Sequence, residues 1–84
     1  MIRIEEIHPE PATVVILIDG KLDRYTLPTL QEVCLRHFDS ALMKKITLDI
    51  SSLNGISLEG KNYLREIKGR VIFKNLPEFL KLEL

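Results

Sequence analysis

A chain of 84 residues supports one domain, residues 1–84, and at that size a fold buries only about two-thirds of its unfolded surface. That suits a binding module better than an enzyme with a deep pocket. Lys plus Arg and Asp plus Glu each number 12, so no charge excess draws the chain toward nucleic acid or an anionic membrane.

A hydrophobic content of 45% is too rich for disorder. Cys34 has no second cysteine to pair with, which fits a reducing cytoplasm. The first residues carry acids and prolines where an export signal needs an apolar core, and no apolar run approaches the ~20 residues of a membrane span. A cytoplasmic protein without membrane insertion is expected.

In chain order, Ile2 and Ile4 alternate with polar neighbours as in a half-buried strand, and His8-Pro9-Glu10-Pro11 breaks that strand into a turn. Residues 14–18, Val-Val-Ile-Leu-Ile, are apolar without alternation and mostly β-branched, which predicts an inner strand covered on both faces and ended by Asp19-Gly20. Thr26 is placed to cap a helix that tolerates Pro28 in its first turn and runs to about Phe38. Leu27, Leu30, Cys34 and Phe38 then form one apolar stripe at spacings of three and four.

After Lys44-Lys45, Ile46, Leu48 and Ile50 alternate with Thr47 and Asp49 as a third strand. Ser57 precedes a short helix marked by Tyr63, Leu64 and Ile67, spanning about residues 61–68, which Gly69 ends in the left-handed conformation. Residues 71–73, Val-Ile-Phe, make a fourth strand. The tail admits two readings: Pro77-Glu78 opening a helix, or Leu80, Leu82 and Leu84 alternating as a final strand, of which the strand is preferred. The expected class is α/β, with a mixed sheet of four to five strands, helices packed on one face, and Leu17, Leu30, Leu48 and Leu64 in the core.

Gly20-Lys21-Leu22-Asp23, a helix, then Ile46-Thr47-Leu48-Asp49-Ile50-Ser51-Ser52-Leu53 and a small-residue turn entering a second helix together resemble the STAS domain of bacterial anti-sigma factor antagonists. The resemblance runs from about Ala12 to Pro77 and includes Val71-Ile72-Phe73-Lys74-Asn75 as the fourth strand and its turn. It implies a small STAS-like fold and a switch: such antagonists bind a serine kinase that also holds a sigma factor, and are released when a serine in an Asp-Ser-Ser-Gly motif is phosphorylated. A phosphate adds about −1.5 to −2 charge, and a helix start offers free amides and a positive dipole end to hold it.

Aligning Gly60 with the motif's glycine puts Ser57 on the aspartate, Leu58 on the first serine and Glu59 on the serine that is phosphorylated. The acceptor hydroxyl is missing at that position. Glu59 supplies a fixed charge of about −1, roughly half that of a phosphate. The resemblance therefore points to a protein-binding surface at Asp23, Ser57, Glu59 and Gly60, with an anti-sigma factor or serine kinase as partner. A structural or regulatory subunit of a transporter or stress-signalling complex is the alternative.

Plainer roles compete for the same residues. Ser57 serves as a helix cap worth about 1 kcal/mol, Glu59 suits the dipole of a first turn, and Asp23 and Asp49 are turn formers. His8 and His37 read as solvated or edge residues. A serine hydrolase is the remote alternative, because Gly55-Ile56-Ser57-Leu58-Glu59-Gly60 approximates a strand-turn-helix serine, yet no histidine follows Ser57 to act as base. Neither metal-ligand spacing nor a cofactor motif is present, so no cofactor, metal or enzymatic activity is expected.

Overall fold

The computed structural model describes residues 1–81 and 84. Its elements are β1 (Ile2–Ile7), β2 (Thr13–Leu22), α1 (Leu27–Phe38), β3 (Lys45–Ile56), α2 (Leu58–Ile67), β4 (Ile72–Lys74) and α3 (Glu78–Lys81). The strands lie in the order β1-β2-β3-β4, with β1 antiparallel to β2 and the other neighbours parallel. Successive parallel strands step in one direction across the sheet, so crossovers of one hand carry α1 and α2 to the same face.

The contacts agree with that placement. The Cys34 thiol of α1 lies beside the Tyr63 hydroxyl of α2, and the Arg70 guanidinium lies 4.1 Å from the centre of the Phe38 ring. The core beneath them is built from Val14, Ile16 and Ile18 of β2, Ile46, Leu48 and Ile50 of β3, and Leu30, Cys34, Leu64 and Ile67 of the helices. Burial in a protein environment pushes the Tyr63 phenol well above its usual range, and the contact with Cys34 adds to the shift.

Strand β2 departs from the expectation in two ways. Only alternate residues are sealed: Val14, Ile16 and Ile18 are 0–1% exposed, while Val15 and Leu17 are half-buried on the face opposite the helices. Leu17 is therefore outside the core and β2 is covered on one face, because both crossovers use the same side. The strand also continues past Asp19-Gly20 to Leu22 through two shifts of register against β3. Gly20 permits this with φ +113°, and a Cβ there would sit 2.4 Å from the Met1 carbonyl oxygen.

Thr26 stands at the start of α1 but makes no side-chain cap; its hydroxyl accepts from the Asp23 amide at 2.9 Å instead. Helix α2 begins at Leu58, earlier than the apolar spacing indicated, because the Ser57 cap defines its start. At its other end Gly69 is not in the left-handed region: Gly20 is the one glycine with positive φ among the described residues. The Arg70 amide returns to the Ile67 carbonyl at 2.8 Å in an ordinary turn.

The described sheet has four strands, and the preferred strand reading of the tail is overturned for its described part. Residues 78–81 form α3, with the Leu80 amide bonded to the Pro77 carbonyl at 3.0 Å and Leu80 fully buried. One helical turn seats Leu80 in the core without extending the sheet beyond the three-residue β4. Leu82, the middle of the predicted alternation, lies outside the described residues.

Candidate functional site

Parallel strands deliver their following loops to one end of a sheet, so the turn after β2 and the turn after β3 emerge side by side. The register pairs Lys21 with Gly55 and Leu22 with Ile56. One step further, the Ser57 amide donates to the Leu22 carbonyl at 2.8 Å. Asp23 and Ser57 are thus neighbours at adjacent strand ends.

Each loop is stiffened by its own polar side chain. The Asp23 carboxylate accepts from the amides of Tyr25 at 2.9 Å and Thr26 at 3.1 Å, a closed turn that sets the entry to α1. The Thr26 amide, opposed by desolvation and aided by the Tyr25 amide, holds the Asp23 carboxyl below its ordinary value. Ser57 is extended, with φ −83° and ψ 173°, and its Oγ accepts from the Gly60 amide at 3.2 Å. That is a helix cap, and it satisfies one of the free amides at the start of α2.

Glu59 is exposed on the first turn of α2, beside the exposed Leu58. Gly60 is buried. A Cβ at Gly60 would lie 2.8 Å from Ile56 Cγ1 and 3.1 Å from both the Leu22 carbonyl oxygen and Leu22 Cγ. Gly60 therefore lets α2 press against the ends of β2 and β3 and offers no side chain to a partner. Of the four residues selected from sequence, Asp23, Ser57 and Gly60 build the platform and Glu59 is its exposed charge.

Two apolar residues on the same loops escaped the sequence reading. Tyr25 is 75% exposed and Leu58 67% exposed. Arg24 lies 4.9 Å from the Tyr25 ring centre and donates to its hydroxyl at 2.7 Å, which props the ring on the surface. Proximity to the two turns does not mark them in the sequence, since Leu22 and Ile56 flank the same turns and pack in or against the core.

The histidines lie elsewhere. Helix α1 starts at the Ser57 end of the sheet and finishes at the opposite end, where His37 contacts Glu6 and Arg36 reaches the same carboxylate at 3.1 Å. His8 faces the Thr13 carbonyl at 3.2 Å, also at the start of β2. His37, read from the sequence as a solvated or edge residue, is thus tied to a carboxylate of the edge strand β1. Neither histidine is within reach of the Ser57 hydroxyl.

No group of three or more His, Cys, Asp or Glu side chains among the described residues is arranged to hold a metal ion. No described helix is long and apolar enough to cross a membrane. Comparisons with protein-family models and with curated proteins return no match.

Proposed function

We propose that the protein is a non-catalytic protein–protein interaction module of STAS type, resembling an anti-sigma factor antagonist in which Glu59 stands at the position of the phosphorylated serine. The observation that carries this reading is the join of Ser57 to Leu22, which sets Asp23 and the first turn of α2 on one exposed surface. Element order supports it as well, since a strand, a pair of parallel crossovers and a helix start after β3 follow the pattern that the sequence motifs suggested.

The partner is an anti-sigma factor or serine kinase in the cytoplasm, recognised through Asp23 and Glu59 with Tyr25 and Leu58 as apolar contacts. Glu59 carries its charge permanently, so the surface is held partway toward the phosphorylated state. The missing hydroxyl also favours a second reading, a docking subunit of a transporter or stress-signalling complex, which has no use for a phosphate switch.

The experiment is a photocrosslinking residue at position 58, applied in the source cells and repeated in the Glu59→Lys background. A crosslinked serine kinase or sigma-factor regulator supports the first reading, and a transporter or stress-complex subunit supports the second. In vitro, an anti-sigma kinase should leave position 59 of the parent unlabelled and should label the Glu59→Ser variant at that residue. Equal affinity of the captured partner for the parent and for Glu59→Lys would show that the surface lies elsewhere.

A further inference from the structure

Strand β1 ends the sheet on one side and β4 on the other. The Lys21 amide donates to the Met1 carbonyl at 3.3 Å, continuing the register that pairs Arg3 with Asp19 and Glu5 with Leu17. In an antiparallel ladder the residues that exchange bonds alternate, so Arg3, Glu5 and Ile7 direct their amides and carbonyls to β2. Ile2, Ile4 and Glu6 direct theirs away from the sheet, where no described strand lies. That edge is six residues long and free of proline, whereas β4 has three residues and runs into Asn75 at φ 57°.

The edge of β1 is complementary to itself. Antiparallel pairing about a two-fold axis normal to the sheet matches even positions with even and odd with odd, because directly opposed side chains share a face. Centring the axis on Arg3 sets that residue against itself, centring it on Glu5 sets two carboxylates together, and axes nearer the strand ends pair fewer residues. Centring it on Ile4 sets Arg3 against the partner's Glu5 and Glu5 against the partner's Arg3, on the open face, where these side chains are 77% and 61% exposed. On the helix face Ile4 meets Ile4, and Ile2 meets the stem of Glu6, whose carboxylate is held toward α1 by His37 and Arg36. The two Glu6 residues, with the ends of α1 above them, then stand about 14 Å apart along the strands and leave the centre clear.

We propose that the outer edge of β1 is the interface of a homodimer in which the two β1 strands pair antiparallel about Ile4 and join the two sheets into one. Ile4 with Ile4 and Ile2 with Glu6 exchange main-chain bonds as the next step of the ladder. The charges fix the register. Within one copy Arg3 and Glu5 stand 3.8 Å apart, so across the axis each guanidinium gains a second carboxylate and the charges alternate in sign around the centre. The contact is isologous and uses the β1 edge of both copies, which closes the assembly at two. An interface confined to one pair of strands is small, so the dimer is concentration-dependent. Asp23, Ser57, Glu59 and Gly60 take no part in it, and it is independent of the function proposed above.

Sedimentation velocity across a concentration series tests it, with circular dichroism confirming that each variant is folded. The parent should shift from monomer to dimer as concentration rises. Arg3→Glu gathers only carboxylates around the axis and Glu5→Arg only guanidinium groups, and each should weaken association at least about tenfold. The double variant, Arg3→Glu with Glu5→Arg, restores the alternation and should dimerise about as well as the parent. Ile4→Pro removes an outward amide that β2 does not use and should give a folded monomer. A parent that stays monomeric to ~1 mM, or a double variant that associates no better than either single one, overturns the proposal. A folded Ile4→Pro protein that dimerises like the parent moves the dimer to another surface and overturns it as well.

Discussion

Gly60 packs against the end of β2 through Leu22: a Cβ at Gly60 would lie 3.1 Å from both the Leu22 carbonyl oxygen and Leu22 Cγ, and 2.8 Å from Ile56 Cγ1. Alanine is the better helix former by about 1 kcal/mol, but forced contacts in a packed site cost about 1–3 kcal/mol. The clash wins, so Gly60→Ala should lower stability in urea melts. Gly69, with nothing within 4 Å of its added Cβ, is the control and should tolerate alanine with no loss. A stabilised Gly60→Ala protein would mean that α2 sits farther from β2 than described.

Ser57 is predicted to act through its oxygen as an acceptor for the Gly60 amide. Ser57→Ala should cost about 1 kcal/mol, and Ser57→Asp, which also caps and adds charge at the positive end of the helix, should recover it. Thermal denaturation of the three proteins decides. Should Ser57→Asp melt no higher than Ser57→Ala, the cap is not what position 57 contributes.

The leucines divide by sheet face. Leu30, Leu48 and Leu64 are fully buried between the sheet and the helices, and each truncation to alanine should cost about 2–5 kcal/mol. Leu17, half-buried on the opposite face, should cost clearly less. Chemical melts at a concentration where the protein is monomeric would test the order, and a Leu17→Ala loss equal to that of Leu48→Ala would place the core on both sides of the sheet.

Acid should loosen the tie between β1 and α1. The hydrogen bond from His37, with Arg36 alongside and desolvation opposing, holds the Glu6 carboxyl below its ordinary 4.5. Because the folded value is the lower one, the stabilisation is fully present above pH 4.5 and is lost as pH falls through the folded value. Glu6→Gln should therefore show a shallower loss of stability below pH 4.5 than the parent, with the two converging in acid. The site is partly exposed, so the difference is small, and 1 M salt should shrink it further. Identical acid profiles for both proteins would remove Glu6 from the account.

Much of the architecture was legible because it is written in local patterns. The apolar stripe from Leu27 to Phe38 specifies α1, the period-two alternation from Ile46 to Ile50 specifies a strand, and Ser57 before an amphipathic segment specifies a helix start. These signals depend on neighbours two to four residues apart and survive without tertiary contact. Which side of β2 is sealed does not, since an unbroken apolar run reads the same whether helices cover one face or two. The hand of the crossovers settled that, and left Val15 and Leu17 half-open. Gly20 looked like a strand end because glycine marks both turns and bulges; the pairing of β2 with β3 on either side of it, with a shift of register between, makes it part of a continuing strand, and the Met1 carbonyl leaves no room for a Cβ there. The tail was undecided because its leucines alternate while Pro77 permits a helical turn, and only the space above the core selected the turn that buries Leu80. At the candidate site, Asp23 and Ser57 announce two turns, but their meeting is a property of the parallel register, formed between residues on different strands far apart in the chain.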